Sequence, residues 1–591
     1  MYQNGFYNSL NCRLRSIDIF LTKDYINFEL DTFKINNSII INTIIKNPII
    51  KSGSGEIIKT SHQKYIINDL QVWIDNQRAS DTLNYNPDSI MYDIHTINDI
   101  SYFFRDKINI RPEILANHIF INRNNPFKQK DVDETFNGLS SLQIFKFINI
   151  GFIESSAPSE NNDSNKTLDC KIQLITQNTQ LIQPEFELTS NIGLGASGKL
   201  SYKHRNIFKG AEIFYIRLKG TSEAIKSKEK LDFKNTLEYS IESGIDIPKF
   251  VVPFNATMFI REYNPHTNIS GSFNYIRRIH YTHQFFNTSF GYIWNAYKGN
   301  KRFQVNLIDL NYVKLLKYDS VFLQSISNSY LKYTFEDHLV SMSSFSYSYA
   351  KSLVKLNPFF YVRYNCEFAG NTLRTIMKTF DYKQNSDGSY DLFGIRYAQF
   401  IRSDIDFRYY IPIDKVTNIV FRTFVGVAYP YGNSRTIPFE KQYFAGGANS
   451  MRGWAIRSLG PGSYRDSVAQ AYPDKASDLK IEANFEYRFK MFWKLEGALF
   501  VDIGNIWSIS KDEKREGAKF TFSNFYNQFA VGSGIGTRLN FSFLIFRVDW
   551  GIKVIDPSQE SKNKLVLLKY KDVNYSFWDI INPVIGIGYP F

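Results

Sequence analysis

No uninterrupted apolar run of about 18 residues occurs in this 591-residue chain, so no helix predicted from it is long enough to span a membrane. A membrane-spanning β-barrel stays open, because its strands alternate and average out in any hydropathy window. Cysteine is scarce. Cys12, Cys170 and Cys366 lie far apart and show no paired spacing, which argues against a disulfide framework and against a zinc site. The net charge of +13 is spread along the chain with no long basic block, so nucleic acid is not an expected partner. No Gly-x-Ser-x-Gly elbow occurs, since "GASG" and "GSG" lack the spacing; no catalytic residue, cofactor or metal is predicted. His280 and His283 in "HYTH" have no acidic or cysteine partners nearby in sequence and read as loop or wall residues. The opening "MYQNGFYNSLNCRL" lacks a charged region followed by an apolar one, so either the chain is not exported or its true start is missing.

Aromatics are plentiful at 16%, chiefly Phe and Tyr, while hydrophobic content is ordinary, a balance that favours many half-buried strands over helices. From about residue 185 one pattern repeats. In "IEANFEYRF", Ile481, Ala483, Phe485, Tyr487 and Phe489 take one parity and Glu482, Asn484, Glu486 and Arg488 the other. "FYVRYNCEF" (360–368) and "FRVDWGIKV" (546–554) split the same way. A soluble sandwich would wet the charged face, whereas a membrane barrel turns it toward the lumen. Some 400 residues of such strands without linkers favour one barrel, and roughly 25 residues per strand and connection gives about 16 antiparallel strands. The fold class is mainly β.

The N-terminal third differs. "RPEILANHIF" carries Ile114, Leu115 and Ile119 at helical spacing, and "KDVDETFNGLSSL" carries Val132, Phe136 and Leu139. They lie between the strand "YIINDLQVWID" and the strands "FKFINIGFIE" and "TLDCKIQLI", giving the order strand, helix, helix, strand, strand. The predicted domains are therefore 1–60, a partial module; 61–180, a small α+β module; and 185–591, the barrel.

That order, followed by such a barrel, resembles the BamA and TamA outer-membrane assembly family, in which polypeptide-transport-associated (POTRA) modules precede a surface-antigen barrel. "FAGGANSMRGW" looks like the family's loop that folds back into the barrel, with Arg452 and Gly453 at its tip, although Met451 and Trp454 depart from the usual neighbours. "FVDIGNIW", with Phe500 and Asp502, resembles the aromatic and aspartate of a lumen-facing strand, and Glu486 matches a further lumen carboxylate. "HRNIFKGAE" (204–212) and "LDC" (168–170) look most like the TamL members of Bacteroidota. "NGFYNSL" resembles the end of a POTRA helix, and "RLRSIDIFL" with "YINFELDTF" that module's last two strands, so the first module reads as truncated. "INPVIGIGYPF" resembles the C-terminal strand signal of outer-membrane barrels, ending on Phe591.

The resemblance implies a non-enzymatic insertase or translocase of the outer membrane with its modules in the periplasm. Implied partners are nascent outer-membrane proteins, outer-membrane lipids, and a periplasmic or inner-membrane assembly partner. Arg452, Gly453, Glu486, Phe500 and Asp502 would form one loop-and-lumen network, because a permanently charged guanidinium inside a barrel needs carboxylates or water. The first strand is expected in "NIGLGASGKL", with Gly193, Gly195 and Gly198, and the last strand with Pro583, Gly586, Gly588 and Phe591. Glycine and proline weaken a ladder, so a seam between these two strands is the expected gate, unless the glycines merely relieve crowding at a barrel corner. The alternative function is a two-partner-secretion translocator, which normally adds a plug helix; none is read ahead of the first module.

Overall fold

The computed structural model describes residues 26–35, 38–45, 49–51, 57–59, 64–75, 92–105, 110–155, 166–190, 194–226, 231–253, 263–278, 281–296, 300–318, 337–350, 357–414, 416–465, 475–510, 515–541, 544–559, 565–566 and 580–591. The chain divides into two compact units, one of residues 1–182 with 202–215 and 245–265, the other of the remaining residues.

In the first unit, β1 (Ile26–Ile35) pairs antiparallel with β2 (Ser38–Ile45), and β3 (Ile49–Lys51) with β4 (Ile57–Lys59). "YINFELDTF" thus lies largely in β1 and pairs with the strand that follows it; "NGFYNSL" and "RLRSIDIFL" fall outside the described residues. An α+β module follows: β5 (Tyr65–Asp75), β6 (Tyr92–Ile97), β7 (Ile100–Arg105), α1 (Pro112–Ala116), α2 (Gln129–Ser141), β8 (Phe145–Glu154) and β9 (Lys166–Thr176). Its sheet runs β6-β7-β5-β9-β8. Period-2 burial along β9, and along β5 on either side of a register shift between Ile67 and Asp69, turns Tyr65, Leu70, Val72 and Ile74, with Leu168, Cys170, Ile172 and Leu174, into one core, where Leu115 and Leu139 of the helices also lie.

Three expectations for this module are corrected. The hairpin β6–β7 is inserted after the first strand, so β5 is interior and the sheet's edges are β6 and β8. A signal was present in Asn98-Asp99, a two-residue turn with both φ positive (51° and 58°), as hairpin turns that match strand twist require. The first helix stops at Ala116, so Ile119 is buried from the loop beyond it. In α2 the buried residues are Thr135, Gly138 and Leu139, while Phe136 is exposed, because Gly138 packs directly on the His118 carbonyl and rotates Phe136 off the core.

The barrel strands are β10 (Gln180–Ser190), β11 (Leu194–Arg205), β12 (Ile213–Lys226), β13 (Leu231–Ile247), β14 (His266–Arg277), β15 (Tyr281–Ala296), β16 (Lys301–Tyr318), β17 (His338–Ala350) and β18 (Phe359–Ala369). After an excursion through α3 (Asn371–Thr379) and the short hairpin β19 (Asp391–Leu392) and β20 (Ile395–Arg396), there follow β21 (Phe400–Pro412), β22 (Asn418–Pro430), β23 (Leu479–Lys490), β24 (Leu495–Trp507), β25 (Ala530–Asn540), β26 (Ile545–Ile555) and β27 (Ile581–Ile587). Among the described residues these form one sixteen-stranded antiparallel sheet in sequence order, from β10 to β27, with β19 and β20 outside it.

Burial along these strands is inverted relative to a water-soluble protein. On β25 the guanidinium-bearing Arg538 is 0% exposed while Ile535 is 58% exposed. On β23 the buried parity is Lys480, Glu482, Asn484, Glu486 and Arg488. Charge therefore faces a filled interior and aliphatic and aromatic side chains face outward, the arrangement of a barrel whose solvent is lipid. A soluble sandwich would show the opposite.

The glycine-rich "NIGLGASGKL" does not supply the first strand. Gly195 and Gly198 lie on β11, the second, and Gly193 lies outside the described residues. The first strand is β10, "QLIQPEFELTS", so the sheet begins at Gln180 rather than at 185. The last strand is also shorter than its alternation suggests. It ends at Ile587, and Gly588 (φ 79°) turns the chain, so Tyr589 and Phe591 leave the outward row of Ile585 and Ile587. Phe591 is buried, with its ring centroid within 6 Å of the guanidinium carbons of Arg422, Arg452 and Arg488.

Candidate functional site

Between β22 and β23, the described residues 431–465 and 475–478 include a segment set along the polar wall of the barrel. Lys441 Nζ lies 3.0 Å from Glu367 on β18, and the Tyr443 hydroxyl donates to the Ser403 carbonyl of β21 at 3.1 Å. Gly446 then takes a φ of 100°, open to glycine but strained for any other residue, and brings the chain to Met451-Arg452-Gly453-Trp454. Met451, Arg452 and Trp454 are all buried.

Arg452 is fully enclosed. Its backbone N–H and its Nε both donate to Asp502 Oδ2 at 3.0 Å, and Nη2 donates to Asp502 Oδ1 at 2.9 Å. Nη1 donates to Glu486 Oε2 and lies 3.7 Å from Asp549 Oδ2. The guanidinium carbon sits 3.4 Å from the centre of the Phe500 ring, a cation on a π face. Strand geometry explains the convergence. Phe500 and Asp502 are two apart on β24 and share its inward face, and Glu486 on β23 is the register partner of Phe500. Glu486 also accepts from Arg488 Nε at 2.8 Å and Arg538 Nη2 at 3.1 Å, and Asp549 lies 2.9 Å from Arg538 Nη1. Shared carboxylates of this kind offset the desolvation of several buried cations at once, and removal of any one leaves an uncompensated charge.

Opposite the guanidinium, the main chain of the tip lies against wall positions that have no side chain. A Cβ added at Gly551 on β26 would overlap the Arg452 carbonyl oxygen. One added at Gly532 on β25 would stand 3.2 Å from the Trp454 ring, and one at Gly504 on β24 the same distance from Met451 Sδ. Gly453 backs onto the Ile552 carbonyl. These seats went unrecognised in the sequence, although "AVGSGIG" places Gly532, Gly534 and Gly536 at one parity, a row without side chains on the inward face.

A second array was also missed. Arg422 on β22 donates to Asp406 (3.2 Å), to Glu482 (2.6 Å) and to Asn484 (3.1 Å), and Ser450 of the loop donates to Glu482. Its sequence signal was the inward parity of charge in "IEANFEYRF" and "FRTFV". Of the expected seam residues, Pro583 and Gly586 are on β27, whereas Gly588 and Phe591 lie beyond its end. His283 is buried on β15 beside Tyr281 and Phe285; His280 is outside the described residues.

The stretch that holds the loop tip and most of its wall partners is also where a known family matches. The Omp85 superfamily domain matches residues 360–566. The match spans all but the first residue of β18 through the whole of β26, together with the loop tip, Glu486, Phe500 and Asp502. Outside that comparison, the outer membrane protein assembly factor BamA of Neisseria meningitidis serogroup B is 29% identical over 107 residues, which is 17% of this chain and only 13% of that protein's length. In structure, BamA from Haemophilus ducreyi lacking POTRA domains 1–3 is similar at a TM-score of 0.53 and 11% identity, over 95% of this chain and 89% of that one. At that identity the likeness shows the fold alone. CdiB from Acinetobacter baumannii is similar at a TM-score of 0.44 and 12% identity, over 83% of this chain and 71% of that one.

Proposed function

We propose that this chain is a non-enzymatic insertase of the outer membrane, with its α+β modules in the periplasm, and that it works through a lateral seam between β10 and β27. Its clients are nascent outer-membrane proteins, its surroundings outer-membrane lipids, and its modules meet a periplasmic or inner-membrane assembly partner. The motifs "HRNIFKGAE" and "LDC" favour the TamL group within the family. The observation that carries the reading is the exposure of the two terminal strands. Phe186 on β10 is 89% exposed and Ile585 and Ile587 on β27 are 69% and 76%, against 58% for Ile535 on β25 and 43% for Phe421 on β22. Outward side chains on interior strands are shielded by neighbours on both sides. Those on the terminal strands are shielded on one. Pro583 and Pro184 further deprive these strands of ladder donors. Unpaired backbone in lipid costs several kcal/mol per group, so such a seam is satisfied by a client strand added at its edge.

The test is a set of cysteine pairs between β10 and β27, centred on Phe186 and Ile585, to lock the seam in its own register. Insertion of client barrels into liposomes should fall in the oxidised protein and return on reduction, while a disulfide between β22 and β23 changes nothing. Full activity with the seam locked would reject the gate. Loss of a single secreted partner, rather than of many barrels, on depletion in cells would favour a secretion translocator.

A further inference from the structure

Two register pairs of the final hairpin, β26–β27, reach the loop tip directly. In the first pair, Gly551 faces Asn582. The Arg452 carbonyl lies over the bare Cα of Gly551, and Asn582 Nδ2 donates to that same carbonyl at 2.9 Å. In the second pair, Arg547 faces Gly586. A Cβ at Gly586 would stand 2.5 Å from Arg547 Nη2, so the guanidinium occupies the space a side chain on the last strand would fill. From there Nη2 donates to Asn449 Oδ1 of the loop at 2.9 Å. The Asn449 carbonyl, 3.5 Å from Arg422 Nη1, links the same residue to β22 on the far side of the loop. Asn582 and Gly586 share the inward face of β27, four residues apart, while Pro583, Ile585 and Ile587 face outward.

We infer that Asn582 and Arg547 are positioning residues that latch the loop tip to the last strand, so that withdrawal of the tip and release of β27 from its inward contacts are one event. The latch deepens the seam reading and rests on it for its role in client insertion, but its existence is testable without any client. One anchor is a hydrogen bond from β27 itself to the loop; the other runs from Arg547 on β26, whose guanidinium lies over Gly586 of β27, and neither involves the Arg452 side chain. A client strand that displaces β27 therefore removes the Asn582 hold on the tip and uncovers the Arg547 guanidinium that holds Asn449, and a tip that leaves the wall removes the bond of Asn582 and the outer anchor of the guanidinium packed on Gly586. Reciprocity follows from linkage: whatever loosening of the last strand costs the loop, loosening of the loop costs the last strand equally.

Hydrogen–deuterium exchange of the full chain in lipid nanodiscs tests this. Asn582→Ala should speed exchange at 449–454 as well as at 581–587, roughly tenfold in each, within the usual span for coupled sites. Asn449→Ala, which leaves every ladder bond of the sheet intact, should speed exchange at 581–587 to a similar degree. Asn365→Ala, which removes an amide bridging β18 to Asp404 on β21, should alter neither segment. Effects confined to the mutated segment in both latch variants would overturn the inference. A locked seam that retains full activity beside intact cross-exchange would instead reject the gate and leave the latch standing.

Discussion

Asp502 holds Arg452 by three hydrogen bonds, two to the guanidinium and one to the backbone N–H, at 3.0, 2.9 and 3.0 Å. One carboxylate thus fixes both the side chain and the main chain of the loop tip. Because both partners are fully enclosed, Arg452→Ala strands the Asp502 carboxylate without a counter-ion, while Glu486 keeps Arg488 and Arg538, and is expected to destabilise the barrel by roughly 3–5 kcal/mol. Arg452→Lys should recover little, since an ammonium cannot make the paired contacts or lie flat on Phe500. The midpoint of heat-modifiable gel mobility measures this. A wild-type midpoint for Arg452→Ala would mean the network carries no stability.

Gly551 makes an equally sharp demand on the main chain. In Gly551→Ala the new methyl meets the Arg452 carbonyl, an immobile backbone atom, so the tip must lift from the wall. Limited proteolysis within 431–478 should accelerate. Gly271→Ala on β14, where the nearest atom is 3.8 Å away, should not change it.

The outward row tests the solvent. Ile535→Arg places a guanidinium where a lipid-facing barrel carries an aliphatic side chain, with an expected cost of about 2–4 kcal/mol if the site lies near the bilayer midplane. Urea titration of folding into vesicles reads it. A cost below roughly 0.5 kcal/mol, the usual size for a water-exposed surface position, would mean that this face meets water.

Cys170 reports on the α+β module. Burial, with a smaller contribution from the Asp69 carboxylate, pushes its thiol up to about 12. The folded state holds the proton more tightly than the unfolded one, so this contribution to stability is intact below the unfolded value of about 8.5 and is lost as pH rises toward 12. Alkylation of Cys170 at pH 8, followed by peptide mapping, should occur only under unfolding conditions. The wild-type module should lose thermal stability above about pH 9 more steeply than Cys170→Ala.

Among the described residues β6 and β8 are the edges of the module's sheet, where the proposed clients would add a strand. A photo-crosslinker at Ile153 on β8 or Ile94 on β6, both edge strands with exposed side chains, should capture extended client peptides. The same group at exposed Phe136 on α2 is the control, and equal capture there would remove the edge as the binding element.

Strand parity was legible in the sequence because a strand puts alternate residues on opposite faces whatever surrounds it. "IEANFEYRF" therefore announced a greasy and a charged face, and the size of the array favoured a barrel. Which face met which solvent became visible only in the burial of Arg538 beside the exposure of Ile535. Local rules also misplaced two ends. The glycines of "NIGLGASGKL" looked like a weak first strand, but strand order depends on pairing partners far away in sequence, and β10 precedes them. Alternation through Tyr589 and Phe591 looked like a continuing strand, yet one left-handed glycine, Gly588, ends it. The tip's partners were hardest to read. Arg452 meets Asp502 across 50 residues and Asn582 across 130, and the bare positions at Gly551 and Gly586 have meaning only beside the carbonyl and the guanidinium that fill them. The sequence by itself determined strand, parity and the need to neutralise a buried arginine. Only the tertiary structure decided which strands are terminal and which glycines are seats, because both depend on distances between segments that local preference does not encode.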